Sequence, residues 1–204
     1  MAASTLRASL TSGVRALEFA NAQLDLAHAE RAVNALLHAR GRRYFTGVGK
    51  SGLAAARMAS SLTSIGLPSQ WVHGTEWAHG ELGGVGGGDV ITMVSHSGKT
   101  SELLDLANEL QGSSHLAGAD DTSAITFVAL TGDANSALAQ LACVPLTCAV
   151  PDDAELLGVL PTASVLSAHH VFNAVLTECA ARLELTPETI ARHHPGGSIG
   201  RALR

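Results

Sequence analysis

Hydrophobic and polar positions follow two regular patterns along this chain, one helical and one strand-like. Apolar residues at helical spacing between residues 4 and 40 predict one or two helices. Beyond them, short apolar runs predict strands, the segments between predict helices, and a polar stretch at 111–124 predicts a loop. The predicted strands cover residues 42–48, 69–73, 89–95, 125–132 and 143–150, and the predicted helices cover 51–66, 100–110, 134–142 and 162–183.

Strands that alternate with helices predict an α/β fold. Several of the strands are apolar on both faces, which is typical of a parallel sheet that helices cover on both sides. The 204 residues show no repeat at a fixed period and no linker. We therefore expect a single domain over residues 1–204, in which the helical segment 4–40 packs on a sheet core that begins near residue 42.

Composition narrows the class of partner. The formal net charge is −5 and no long basic run occurs, which argues against a nucleic-acid partner. No apolar run approaches the ~20 residues that span a bilayer, so no membrane partner is expected. The cysteines, Cys143, Cys148 and Cys179, form no C-x-x-C pair and indicate a reducing compartment. We expect a cytoplasmic protein; the Arg- and Ser-bearing, acid-poor first residues make an organelle transit peptide the alternative.

Two segments, "GVGKSG" at 47–52 and "SHSGKTSE" at 95–102, suggest phosphate chemistry. Each contains Gly-Lys-Ser/Thr after a predicted strand, as the P-loop of nucleotide-binding proteins does. The P-loop also requires a glycine five residues before that Gly-Lys pair. Tyr44 and Met93 occupy those two positions. An NTPase is therefore not expected.

Gly47, Gly49 and Gly52 fit the G-x-G-x-x-G pattern of dinucleotide-binding turns. A ribose-binding acid should follow about 20 residues later. The chain has Val72 and His73 there, and Glu76 comes late. A dinucleotide site and a tight turn before a well-packed helix both remain open.

The second segment places four hydroxyls around Gly98 at a strand-to-helix turn, those of Ser95, Ser97, Thr100 and Ser101. Hydroxyls and free backbone N–H groups at the start of a helix together form an anion site. A helix that is merely capped is the alternative, but a cap needs fewer hydroxyls. We favour a phosphomonoester site.

Histidines and carboxylates cluster in two further segments. His73, Glu76 and His79 lie in the loop after the second predicted strand, and His193 and His194 precede "PGG" near the end of the chain. Such groups suit acid–base chemistry near neutral pH. None has the i, i+4 spacing of a zinc-binding helix, so we expect no metal site.

The segments "GVGKSG", "HGTEWAHGELG", "SHSGKTSE", "PTAS" and "HHPGGSIGRAL" resemble, in this order, those of sugar isomerase (SIS) domains, most closely the arabinose-5-phosphate isomerase group. The resemblance covers most of residues 40–204. It implies a five-stranded parallel sheet with flanking helices, a phosphosugar ligand and usually a homotetramer.

The resemblance also implies roles for the residues of both Gly-Lys segments. Ser51, Ser95, Ser97 and Thr100 would hold the substrate phosphate, in agreement with the site expected from the hydroxyls. Lys50 would lie near the sugar, and we assign it a catalytic role.

Catalytic roles follow from the same resemblance. Moving a proton between C1 and C2 of a sugar through a cis-enediol needs a base at carbon and an acid or electrophile at the carbonyl, but no redox cofactor. We assign proton transfer to His194, which relatives often contribute across a subunit boundary. His79 is assigned ring opening or polarisation of the carbonyl.

The chain departs from the family pattern at two places. The family's serine turn carries a functional glutamate where this chain has Lys99. The glutamate that precedes the family's "GLAPT" segment corresponds to Asp153 by counting back from Pro161, with Asp152 and Glu155 nearby. We therefore assign Asp153 a catalytic role.

The resemblance implies an isomerase that interconverts D-arabinose 5-phosphate and D-ribulose 5-phosphate without a cofactor. The alternative is an SIS module that binds phosphosugars but has lost catalysis, which Lys99 favours. The longer relatives continue with a pair of regulatory modules after the last segment. This sequence ends at Arg204, so we expect a catalytic-domain-only form or a truncated chain.

Overall fold

The structure is a computed structural model that describes residues 2–112 and 124–202. Residues 113–123, most of the predicted polar loop, lie outside the described residues. The helices are α1 (Ala2–Gln23), α2 (Leu26–His38), α3 (Gly49–Ser64), α4 (Ser101–Gly112), α5 (Ala137–Leu141), α6 (Ala163–Arg182), α7 (Pro187–His193) and α8 (Ser198–Ala202). The strands are β1 (Arg43–Gly47), β2 (Ser69–His73), β3 (Val90–Val94), β4 (Thr126–Thr131) and β5 (Val144–Thr147), and two short 3₁₀ helices cover Glu76–His79 and Glu81–Gly84.

The five strands form one parallel sheet in the order β2-β1-β3-β4-β5. Consecutive strands are joined through segments that contain helices, as parallel connections require. The α/β class and the parallel sheet predicted from the sequence are confirmed.

Side chains that alternate along β1 separate the core into two halves. Phe45 packs with buried residues of α2, α3 and α6 on one face of the sheet. Tyr44, its neighbour, packs on the other face with buried residues of α4 and α5 and with Trp77. Because successive side chains of a strand point to opposite faces, the burial of every position of β1 and β3 requires helices on both sides of the sheet.

The N-terminal segment forms two helices that contact the α6 side of the molecule. Asp25 caps α2, because its Oδ1 accepts hydrogen bonds from the N–H groups of Ala27 and His28. Helix α1 contacts α6, and α2 contacts α6 and β5. Across the described ranges, no helix combines the length and the apolar character that a membrane span needs.

Two helices near the end of the chain had no counterpart in the sequence pattern. Helix α7 begins with Pro187, and Thr186 caps it by accepting a hydrogen bond from the N–H of Thr189. Helices α7 and α8 have seven and five residues and bury little apolar surface. A short, mostly exposed helix lacks the periodic apolar stripe on which sequence prediction relies.

Candidate active site

The carboxyl ends of β1 and β3 lie side by side, with Gly47 opposite Val94. From β1 the chain continues to β2 on one side of that strand, whereas β3 lies on its other side. In open α/β sheets, ligands bind at such a point, where the strand order reverses. We define residues Ser95–Thr100 as the serine turn. The serine turn follows β3, and Ser51 follows β1, so both lie at this end of the sheet.

Close backbone contact holds the turn that carries Ser51. A Cβ at Gly52 would lie 2.7 Å from the carbonyl oxygen of Gly47, and a Cβ at Gly47 would lie 2.9 Å from that of Val94. Gly49 has a φ of 59° in the left-handed region. Close packing therefore accounts for Gly47 and Gly52, and the left-handed backbone conformation accounts for Gly49.

Hydroxyl groups shape the serine turn from within. Ser95 is 2% exposed; its Oγ accepts a hydrogen bond from Gly98 N at 3.2 Å and shares another with Thr100 Oγ1 at 2.8 Å. Ser97 Oγ accepts one from Lys99 N at 3.2 Å. Gly98 has a φ of 59°, and a Cβ there would overlap the Ser136 side chain. The turn is therefore fixed before any ligand arrives.

A cavity of about 440 Å³ opens above this turn, within the size range of small-molecule sites. The four residues predicted to bind phosphate, Ser51, Ser95, Ser97 and Thr100, all line it. The other lining residues are His96, Val150, Pro151, Asp152, Glu155, Gly158, Val159, Pro161 and Ser164. The serine turn thus forms one wall, and the segment between β5 and α6 forms the opposite wall.

Glu155 on that opposite wall caps α6 through its side chain. Its carboxylate accepts hydrogen bonds from the N–H groups of Thr162, Ala163 and Ser164 and from Thr162 Oγ1, at 2.6–3.0 Å. Partial burial opposes ionisation, but hydrogen bonds from Ser164 and Thr162 outweigh it and lower the pKa of the carboxyl group. Glu155 is therefore a fixed negative charge in the cavity wall.

Asp153 lies away from the cavity. Its carboxylate pairs with the Arg15 guanidinium at 2.5 Å, and its side chain is 73% exposed. The hydrogen bond from Arg15 lowers the pKa of Asp153. Asp153 was assigned a catalytic role from the sequence, but here it contacts α1, while its neighbours Asp152 and Glu155 line the cavity.

His96 lines the cavity between the two serines, and sequence reasoning missed it. Its ring lies against Gly132, where a Cβ would overlap Cε1 and Nδ1 of the ring. Burial lowers the pKa of His96, and the nearby carboxylate of Glu155 raises it to a smaller extent. Its position within Ser-x-Ser, at the end of a strand, is the feature that would have identified it.

Lys50 and His79, predicted as catalytic, lie near the sheet edge but not among the cavity-lining residues. Lys50 is exposed in the first turn of α3, next to Ser51. His79 is exposed at the end of the first 3₁₀ helix. Lys99, at the position of the family glutamate, is also exposed.

His194 lies at the opposite end of the sheet from the cavity. Its Nδ1 is 2.8 Å from the carbonyl oxygen of Ile190, and Nδ1 of the adjacent His193 is 2.9 Å from that of Ser64. Ser64 ends α3, the helix whose first turn carries Ser51. A helix of 16 residues is ~24 Å long. His194 of one chain is therefore remote from the cavity of that same chain.

Within residues 2–112 and 124–202, no group of three or more His, Cys, Asp or Glu side chains is arranged to hold a metal ion.

Comparison with known proteins gives consistent matches. The family model described as "SIS domain" matches residues 35–178. An arabinose 5-phosphate isomerase KpsF from Escherichia coli is 30% identical over 199 residues, which is 98% of this chain and 58% of that protein. An arabinose 5-phosphate isomerase KdsD from Pseudomonas aeruginosa is 33% identical over 173 residues, covering 85% of this chain and 50% of that protein.

A solved structure of an Escherichia coli CFT073 protein in complex with a phosphosugar superposes with a TM-score of 0.81 at 28% identity. It covers 94% of this chain and 96% of the other. By contrast, this chain spans only about half to three-fifths of the curated relatives' length. The resemblance noted in the sequence is confirmed, and it concerns the part of those relatives that this chain matches.

Proposed function

Because the chain belongs to the SIS-domain family, we propose that it is a phosphosugar aldose–ketose isomerase. The substrate that fits best is D-arabinose 5-phosphate, converted to D-ribulose 5-phosphate through a cis-enediol. The convergence of Ser51, Ser95, Ser97 and Thr100 on one cavity at the edge of the sheet carries the proposal. The relationship to arabinose 5-phosphate isomerases supports this choice of sugar.

The phosphate group binds at the serine turn. Hydroxyls donate hydrogen bonds to its oxygens, and α4, which begins at Ser101, directs the positive end of its dipole towards it. Ser51 adds a hydroxyl from the first turn of α3. Anchoring the phosphate extends the sugar along the cavity towards the wall formed by residues 150–161.

Proton transfer between C1 and C2 is the task of His194 from a neighbouring subunit. Its distance from the cavity in its own chain supports a contribution from a partner. His79 and Lys50, at the edge of the sheet, assist ring opening and polarisation of the carbonyl. Asp153 joins this set only if its ion pair with Arg15 opens when a ligand or a partner subunit binds.

A homo-oligomer follows from the need for a partner's His194, and the family resemblance implies a tetramer. An exposed apolar stripe on α1 supports it: Leu6, Leu10 and Val14 are 58–67% exposed and recur every fourth residue. Leu157 and Val159, 87% and 79% exposed, add apolar surface on the segment before α6. Association of subunits would remove such surface from water.

An assay of D-arabinose 5-phosphate with formation of the ketose tests the proposal. We expect turnover without added cofactor, and an equilibrium reached from either sugar. D-Arabinose is the matched control, because it lacks the phosphate that the serine turn is proposed to bind. Absence of ketose formation over a range of protein concentrations, despite binding of the sugar phosphate, would contradict the proposal.

The second candidate is an SIS module that binds phosphosugars without catalysis. Two observations favour it: Lys99 replaces the glutamate of the family, and Asp153 pairs with Arg15. It predicts saturable binding of pentose phosphates by calorimetry with no turnover. Restoring the family residue, Lys99→Glu, separates the two candidates further, since a gain of turnover would show that the rest of the machinery is intact.

A further inference from the structure

His96 reaches from the serine turn towards the first turn of α6. It lines the cavity of about 440 Å³ and also a small one of about 10 Å³. The small cavity is bounded by Ser51 and Ala54 of α3 and by Ser164 and Ala168 of α6. The ring therefore lies between the serine turn and the first turns of α3 and α6, where it lines the larger cavity beside the hydroxyls.

The two nitrogens of this ring have different surroundings. Nδ1 is buried and, among the described residues, has no hydrogen-bond partner. A proton on Nδ1 would leave a buried N–H without an acceptor, which proteins avoid more strictly than an unused acceptor. The neutral ring therefore carries its proton on Nε2 and offers that N–H as a donor.

The ring is held in the neutral form near pH 7. Burial lowers its pKa, and the carboxylate of Glu155 opposes this only in part. Asp152 and Glu155 are the other titratable residues that line the same cavity. A neutral imidazole polarises a carbonyl by donating a hydrogen bond, without competing for the proton that the enediol steps move.

No other histidine within the described ranges lines this cavity. His79 is exposed at the end of a 3₁₀ helix, and His194 lies at the opposite end of the sheet. We propose that His96 is a substrate-contacting residue whose Nε2–H donates a hydrogen bond to an oxygen of the bound sugar. The proposal rests on the function proposed above and deepens it, because it adds a residue of the same chain that contacts the sugar.

Two variants with a matched control test the contact. His96→Leu removes the donor at similar volume, and His96→Gln restores an N–H near the position of Nε2. His38→Gln, at an exposed histidine on α2, is the control. The probes are inorganic phosphate and D-arabinitol 5-phosphate, a pentose phosphate analogue that has no carbonyl and cannot turn over.

We expect His96→Leu to weaken binding of D-arabinitol 5-phosphate about tenfold, the loss usual for one hydrogen bond. His96→Gln should recover most of it, and neither variant should change the affinity for inorganic phosphate more than about threefold. Equal losses for both probes, or no loss for either, would overturn the sugar contact.

Nitrogen NMR of the wild-type chain keeps the proposal testable if His96→Leu fails to fold. We expect the Nε2-protonated form of His96 at pH 7, and a shift of its Nε2 resonance with D-arabinitol 5-phosphate but not with inorganic phosphate. A proton on Nδ1, or no shift with the alditol phosphate, would overturn the proposal.

The same measurements separate this inference from the proposed function. Binding of the alditol phosphate without dependence on His96 overturns the inference alone. If the wild type shows no isomerase activity although the His96 contact is measured, the proposed catalysis is wrong and the contact is still supported. Failure of the wild type to bind the alditol phosphate at all overturns both.

Discussion

At the scale of single residues, the hydroxyls of the serine turn stabilise the turn and, in the proposed function, also bind the ligand. Ser95 Oγ and Ser97 Oγ accept hydrogen bonds from backbone N–H groups of the turn, and Ser95 shares one more bond with Thr100. Accepting a bond leaves the proton of a hydroxyl free. Only one proton is used between Ser95 and Thr100, so these three hydroxyls keep two donors for a phosphate.

Ser97→Ala tests this count directly. The substitution removes one donor to a charged acceptor and also the acceptor for Lys99 N. We expect binding of a pentose phosphate to weaken by about 1–3 kcal/mol, measured by isothermal titration. Ser61→Ala, at an exposed hydroxyl of α3, should bind like the wild type. Unchanged affinity in Ser97→Ala would remove that hydroxyl from the phosphate site.

At the scale of elements, the start of α6 explains the shape of the cavity wall. Glu155 reaches across seven to nine residues to accept the first N–H groups of the helix. The segment between them turns at Leu157 and Gly158, whose φ angles of 57° and 71° lie in the left-handed region. This fold brings Glu155 and Asp152 to the cavity and leaves Asp153 to pair with Arg15.

Glu155→Gln should destabilise the fold in a pH-dependent way. The pKa of Glu155 is lower in the folded state than in the unfolded chain, so the ionised cap stabilises the fold above the unfolded pKa of about 4.3 and loses this effect as the pH falls through the folded pKa. At pH 7 we expect a loss of about 1 kcal/mol in the free energy of unfolding, typical of a cap.

Urea unfolding of the wild type and of Glu155→Gln at several pH values measures this effect. The difference between the two proteins should shrink as the pH is lowered below about 4. Glu184→Gln, at an exposed carboxyl group beyond α6, provides the control and should show little difference at any pH. A difference that is constant from pH 7 to pH 3 would rule out ionisation of Glu155 as its cause.

Much of the fold and part of the site were predictable from these elements. Strands β1, β3 and β4 are buried along their whole length, so their apolar runs identified a sheet covered on both faces. Hydroxyls that directly follow two such strands lie at the same end of a parallel sheet, and this placement does not depend on the course of the loops. Asp153 in the segment before α6 pairs instead with Arg15, 138 residues away along the chain, and no local pattern encodes that contact.

Gly52→Ala tests how the first turn of α3 positions Ser51. The new Cβ would lie 2.7 Å from the carbonyl oxygen of Gly47, so helix and strand must separate. We expect a loss of about 1–3 kcal/mol in the free energy of unfolding, measured with urea, together with weaker binding of the phosphosugar. Gly83→Ala is the control, because its Cβ would meet no atom within 4 Å. Equal stability of both variants would show that the close contact is unimportant.

At the scale of the whole molecule, the two predicted halves of the active site lie at opposite ends of the sheet. The hydroxyls proposed to bind phosphate occupy the carboxyl end, and His193 contacts the end of α3 at the other. A single chain cannot bring His194 to its own cavity without separating α7 from α3. The proposed homo-oligomer would resolve this, because each subunit would provide His194 to a neighbour's cavity.

Mixing two inactive variants tests whether subunits share the site. His194→Ala should lower turnover by about 100-fold or more with little change in binding, and Ser97→Glu should abolish binding by placing a negative charge beside the phosphate. If His194 acts in a neighbouring subunit, a mixed pair regains one complete site. An equimolar mixture, unfolded and refolded together, should then recover about a quarter of the wild-type activity.

The two variants refolded separately and combined afterwards are the control, and they should stay inactive unless subunits exchange. If the co-refolded mixture is no more active than its parts while light scattering shows oligomers, His194 does not act across a subunit boundary.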